Sequence, residues 1–383
     1  MKKMLMAAGM AAVMTACGTA GQKAATDAGN PFLAEYSTPF GVPPFDLIKV
    51  EHYKEAFLKG MEEQKKEIDA IVNQRSVPDF DNTIAAFDQS GELLNKVSTV
   101  FSGLNSCNTN DEMQAFNKEI TPLLSAHRDD ISLNPALFAR VKEVYERREK
   151  LGLDKEQNKL LEETYKKFVR GGANLDSVDQ AKLRQLNSEI SMLQLTFGQN
   201  LLKETNAFEL VIDKKEDLAG LPESLVASAA EAAKGAGMEE KWLFTLHNPS
   251  VMPFLQYADN RELREKIFKG YINRGNNGNE ADNNEIVKKL VALRLEKAKL
   301  MGYADYASFI LEDRMAKNEE NVYRLLNQIW TPAVAKAKEE LSDIQAEIKK
   351  EGANFTPEGW DWRYYFEKAK KAKFSLDENE VRP

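Results

Sequence analysis

From residue 50 onward, apolar positions recur every three or four residues between stops of Pro and Gly, the pattern of successive amphipathic helices. The spacing predicts helices over residues 50–73, 80–104, 109–127, 134–150, 154–171 and 176–205. The last is the most regular: Leu183, Leu186, Ile190, Leu193, Phe197 and Leu201 fall on one face, a stripe expected to pack against other helices rather than form a free coiled coil. Leu210, Val211 and Ile212 then mark a strand over residues 208–213, and residues 241–249 read as a second strand closed by Asn248-Pro249. An alanine-rich helix after Pro222, ending near Gly235 or Gly237, separates the two strands, which are close enough to pair antiparallel.

Helical spacing resumes over residues 261–273 and again from Asn283, where Ile286, Leu290, Leu293 and Leu300 share a face and Gly302 supplies the stop. A further helix follows with Tyr306, Phe309, Ile310 and Met315 as its apolar side. Residues 321–350 predict one or two long helices, with Pro332 at a boundary or kink. Trp360, Trp362, Tyr364, Tyr365 and Phe366 form an aromatic cluster that would serve either as core or as the lining of a groove for peptide side chains, and core is the preferred reading. Asp361 is expected to cap the helix that carries them. The fold class is therefore mainly α, a multi-helix chain with a small antiparallel β element near residues 207–247, and no period of 20–50 residues suggests a solenoid.

Composition leaves this picture intact. The chain has 383 residues, 43% hydrophobic and 29% charged, enough for a sizeable core and for two lobes. Its formal net charge of −8, which becomes −10 without Lys2 and Lys3, argues against a general nucleic-acid binder.

The first residues change it more. Lys2 and Lys3 precede an apolar run over residues 4–13 that is too short to span a bilayer, followed by Met14-Thr15-Ala16-Cys17. Small residues before a cysteine at the end of a signal resemble a bacterial lipobox, although Met14 stands where Leu is usual. Residues 1–17 are thus expected to be a lipoprotein signal with Cys17 as the lipid-attachment site, the alternative being an ordinary cleaved signal or a buried cysteine. Residues 18–30 read as a flexible tether. The expected location is the bacterial cell envelope, lipid-anchored and facing the periplasm or the exterior. The glycines of residues 18–23 lack both the spacing and the preceding strand of a phosphate loop. Cys107, the other cysteine, would be a packed free thiol rather than a nucleophile.

Literal residues carry a family likeness. Leu293-Arg294, Ala298, Leu300-Met301-Gly302-Tyr303, Tyr306-Ala307 and Met315-Ala316 resemble the start of the peptidase region of the thimet oligopeptidase family of zinc metallopeptidases, and within it the peptidyl-dipeptidases, or dipeptidyl carboxypeptidases. Residues 43–48, His52, residues 56–68, 133–138, 167–171, 197–202, 360–365 and 374–383 continue the likeness in one order from about Asn30 onward. The resemblance implies a two-lobed, largely helical peptidase enclosing a deep channel, with zinc as cofactor and short peptides as substrates. It also suggests helical regions over residues 31–205, a small β element with its helix over 206–258, and the start of the peptidase region over 259–383.

Members of that family hold zinc with His-Glu-x-x-His on one helix, where positions i and i+4 put both imidazoles on one face and the Glu activates a metal-bound water. That motif does not occur here. His52, His127 and His247 are the three histidines, and no two lie within a helical turn. The chain is therefore expected to be the front part of such a protein, inactive by itself, with no catalytic or metal-binding residue assigned to it. A second reading is a lipid-anchored helical module that binds peptides or a partner without catalysis. Serine or cysteine hydrolysis is the weakest alternative, since no Gly-x-Ser-x-Gly occurs and Cys107 has no evident His partner.

Overall fold

The structure, a computed structural model, describes residues 29–376. Its N-terminal helices are α1 (Val50–Val72), a short α2 (Ala86–Asp88), α3 (Glu92–Cys107), α4 (Asp111–Ser132), α5 (Pro135–Glu146), α6 (Lys155–Arg170) and α7 (Ser177–Ala207). Then come β1 (Leu210–Ile212), α8 (Glu223–Gly235), β2 (Trp242–Phe244), α9 (Asn248–Tyr257) and α10 (Arg261–Ile272). The last helices are α11 (Asn284–Leu300), α12 (Tyr306–Leu311), α13 (Glu319–Lys350) and α14 (Gly359–Phe374). The mainly helical class and the small antiparallel sheet both follow the sequence pattern, with Leu210 opposite Phe244 and Ile212 opposite Trp242.

Side-chain caps explain half of the helix starts. Asn110, Asn134, Asp154, Asp176, Asn260, Asp305 and Asn318 each accept a backbone N–H of the first turn, satisfying donors that no helical carbonyl can reach. At α6 the exchange is reciprocal, since Gln157 also accepts from the Asp154 N–H at 3.1 Å.

The stretch expected as one helix over 80–104 is broken. A π-turn over Phe80–Ala85 leads through α2 to a bend at Gly91, whose φ is +78°, and only then does α3 begin. Two contacts impose the bend. Glu67 accepts the Gly91 N–H at 2.7 Å, and a Cβ on Gly91 would lie 2.4 Å from the Gln64 amide nitrogen. Once redirected, α3 runs across α1 at a crossing so close that a Cβ on Gly60 would meet the Leu94 backbone at 2.9 Å. Around this crossing Phe32, Tyr53, Phe57, Val97, Phe101, Phe116 and Ile120 form one buried cluster of α1, α3 and α4. Helices α1, α5 and α6 build a second from Ile68, Leu137, Val141, Leu161 and Phe168.

Helix α7 packs on α4 and on α11. Leu183, Leu186 and Ile190 are buried as the stripe requires, whereas Leu193, Phe197 and Leu201 are only half buried. A polar relay crosses the three helices: the Lys297 ammonium donates to Asn187 Oδ1 at 2.6 Å, and the Asn187 amide donates to Asp129 at 2.8 Å. Burial lowers the Lys297 pKa and raises that of Asp129. The sheet, α8, α9 and α10 form a third core around Phe244, Phe254, Leu255 and Ile267.

Two local expectations need correction, and one choice is decided. Of one or two helices over residues 321–350 there is one: α13 is continuous through Pro332, because this part of the helix is solvent-exposed and the Gln328 carbonyl that loses its partner is left to water rather than buried. Helix α12 ends at Leu311, which leaves Met315 in the following turn and almost fully exposed instead of on an apolar face. Cys107 is also exposed, not packed: the last turn of α3 runs past Leu104, the final residue of that helix in the core, and the thiol donates to the Gly103 carbonyl.

Candidate functional site

The three histidines occupy separate places. His52 stands at the start of α1, where its Nδ1 accepts the Lys49 N–H at 3.1 Å. His127 is buried in α4 with Nε2 2.7 Å from Gln64 Oε1, and burial lowers its pKa. His247 precedes α9 and bonds Thr245 Oγ1 and Asn206 Oδ1. Among the described residues no three His, Cys, Asp or Glu side chains come together in a group fit for a metal ion. The described residues therefore assemble no set of zinc ligands. Cys17 lies outside the described residues, and no helix among them is long and apolar enough to cross a membrane.

The most elaborate constellation was not anticipated from sequence. Asp361, read as a simple cap, is fully buried and sits between two arginines of α10. Arg261 donates to it through Nε at 2.9 Å and Nη2 at 2.7 Å, and Arg264 through Nη2 at 3.0 Å. The carboxylate also accepts the Glu358 N–H at 3.0 Å, but the N-cap of α14 is Glu358, and Asp361 lies in the first turn as its capping-box partner. Arg264 is 1% exposed and spends its remaining donors on the carbonyls of Ala258, Asp259 and Trp360. Its guanidinium lies 4.0 Å from the centre of the Tyr364 ring, whose hydroxyl donates to Asp259 at 2.7 Å. Burial alone would raise the Asp361 pKa, yet the hydrogen bonds from Arg261, Glu358 and Arg264 outweigh it and hold the group below the usual carboxylate range. The sequence signal was present in principle: Arg261 and Arg264 are three apart and so share a helix face, and an acid between two tryptophans is poorly solvated.

This ion cluster fixes α14 against α10 and thereby settles the aromatic run. Tyr364 and Tyr365 are buried with Ile344 and Ile348 of α13, the core role preferred from sequence, while Phe366 is 39% exposed. At the other end of α13, Arg170 of α6 reaches across to α12, donating to the Phe309 carbonyl and to Glu312 at 2.5 Å each.

Between these anchors α13 is uncovered by the described residues. Every residue from Tyr323 to Ala333 is exposed, including Leu325, Leu326, Ile329 and Trp330, the last at 69%. Helix α11 likewise buries Leu290 but leaves Val287, Val291 and Leu295, spaced by four, open to solvent. Isolated exposed apolar residues are ordinary, but two helices with whole apolar stripes uncovered mark surfaces made for contact. A hollow of about 930 Å³ between α8, α9 and the sheet is lined in part by His247, Thr245, Ser250 and Tyr257.

Comparison with known proteins places these helices in context. Residues 254–383 match the model of peptidase family M3. The chain is 40% identical over 354 residues to a dipeptidyl carboxypeptidase of Escherichia coli strain K12, an alignment covering 92% of this chain and 52% of that protein. A dipeptidyl carboxypeptidase of Salmonella typhimurium is 38% identical over the same shares. An oligopeptidase A of Haemophilus influenzae is 29% identical over 90% of this chain and 51% of its own length. The chain thus spans about half the length of the curated relatives it matches. Its N-terminal helices, its sheet and its exposed α11 and α13 all lie within the stretch that is similar to these peptidases.

Proposed function

We propose that the whole protein is a zinc metallopeptidase of the peptidyl-dipeptidase type, releasing dipeptides from the C-termini of short peptides, and that this chain supplies its N-terminal part. The observation that carries the reading is the 40% identity to a dipeptidyl carboxypeptidase along 92% of the chain. The uncovered stripes of α11 and α13 support it, since they are the surfaces against which a further part of the fold would pack. The chain by itself would be inactive, a reading supported by its three dispersed histidines, each of which holds a hydrogen bond within the fold.

The test is to read the gene beyond the codon for Pro383 and compare the longer product with the 383-residue chain on a blocked tripeptide. The longer product should carry His-Glu-x-x-His, retain zinc and release the C-terminal dipeptide, while the 383-residue chain should do none of these. A stop codon after Pro383, or zinc-dependent cleavage by the shorter chain that is lost on replacing its histidines, overturns the proposal and favours a non-catalytic peptide-binding module.

Trp330→Gln offers a physical check on the packing part of the proposal. In this chain it should shift unfolding by no more than about 0.5 kcal/mol, as expected for an exposed residue. In the longer product, where the indole would be covered, denaturant unfolding should show a loss of about 2 kcal/mol or more.

Membrane attachment is a separate proposal. Cys17 would carry diacylglycerol and hold the enzyme at the bacterial cell envelope, on the periplasmic or outer side. Membrane fractionation with mass spectrometry of the mature N-terminus checks it, and a soluble protein with an unmodified Cys17 speaks against it.

A further inference from the structure

Helices α3 and α4 form a hairpin laid on α1. Near the turn it is closed by aromatic packing, with the Phe101 and Phe116 rings 5.4 Å apart. Beside this packing α3 presents small side chains, Ser98 and Ser102, to a gap facing α4. The result is a groove of about 440 Å³ between α3 and α4, in the size range of small-molecule sites. Phe87, Leu124 and Phe168 make its apolar wall, and the Gln64–His127 pair lines it as well.

Its charge is unusual for this protein. The chain carries 60 acidic residues, yet no Asp or Glu lines the groove. Two cations do: Arg128 of α4 and Lys167 of α6. Neither side chain makes an ion pair or hydrogen bond with another described residue, although neighbouring Lys65, Lys166, Arg170 and Arg184 are each matched to an acid. Two unmatched cations beside an apolar wall, with hydroxyls and an amide alongside, form a surface complementary to an anion with an apolar body. The adjoining open hollow shares Gln64, Leu94 and Ser98 with the groove and carries Asp88 and Glu92, acids suited to an ammonium group.

We propose that the α3–α4 groove binds a small carboxylate bearing an apolar group, with its carboxylate at Arg128 and Lys167 and its apolar part against Phe87, Leu124 and Phe168. This chemistry is offered both by free aryl or alkyl acids and by the C-terminal end of a short peptide. The inference concerns binding alone and stands whether or not the longer product cleaves peptides.

The test is calorimetric titration of the 383-residue chain with 3-phenylpropionate, with the dipeptide Ala-Phe and with its C-terminal amide. Ala-Phe, phenylpropionate or both should bind, and the amide should bind at least about 10-fold more weakly than Ala-Phe, as loss of a charge-assisted contact requires. The Arg128→Gln/Lys167→Gln double variant, altered only at exposed side chains, should weaken the acids by about 10-fold or more with an unchanged melting curve. Ser98→Leu, which fills the groove, should weaken them as well. Tighter binding of Ala-Phe identifies a peptide terminus as the favoured source, and tighter binding of phenylpropionate a free acid. Binding of neither acid at millimolar concentration, equal binding of Ala-Phe and its amide, or full affinity in the double variant overturns the proposal.

Discussion

Asp361→Ala should destabilise the chain by about 3–5 kcal/mol, the cost of removing one partner from a buried ion pair. The cost arises mainly at Arg264, which is 1% exposed and would keep its charge with no carboxylate nearby. Arg261 is 38% exposed at its side chain and would recover much of its loss from water, so it contributes less. Chemical denaturation monitored by tryptophan fluorescence is a suitable readout, because Trp360 and Trp362 flank the site. A loss under about 1 kcal/mol would mean that the cluster does not hold α14 in place. The same group predicts a pH dependence. Its folded pKa lies below the unfolded value of about 3.9, so its stabilisation is complete above that value and is lost as pH falls through the folded pKa. Below pH 4 the native chain should therefore lose stability by a component that Asp361→Asn lacks.

Phe57→Ala should cost about 3–5 kcal/mol at the opposite end of the molecule. Phe57 is fully buried where α1, α3 and α4 meet, edge-on to Phe101 at 5.7 Å and 5.9 Å from Phe116. Close crossing at Gly60 leaves these helices little freedom to collapse into the void, so both transfer and cavity contributions apply. Phe57→Leu, which keeps most of the volume, should cost less than half as much. Equal losses for the two variants in urea unfolding would show that ring geometry rather than volume governs the junction.

Why some of this was legible in the sequence and some was not follows from the range of the interactions involved. Helices with a regular apolar stripe and an Asn or Asp cap, such as α4, α6 and α7, declare themselves within a few residues. The paired strands were legible because β-rich runs bracket an alanine-rich helix. The break at Gly91 was not, since it depends on Glu67 and Gln64 on another helix, and a local pattern carries no record of them. Asp361 was misjudged in the same way: its capping contact is three residues away, its arginines about a hundred. Cys107 was misread, and Pro332 left open, because their outcome depends on exposure, which only the assembled fold defines. The groove of α3 and α4 left no motif at all, because Ser98, His127 and Lys167 come together only through three separate helices.

Helix α13 also has a mechanical role. Its 32 residues make a rod of about 48 Å, tied near one end to α12 and near the other to α14. Through α12 it is linked to the N-terminal helices by Arg170, and through α14 to the sheet region by Arg264 and Asp361. A rigid rod between two such attachments acts as a spacer, setting how far apart they stand. The proline at its middle, where one rung of the hydrogen-bond ladder is missing, is the point at which that spacing would yield under load.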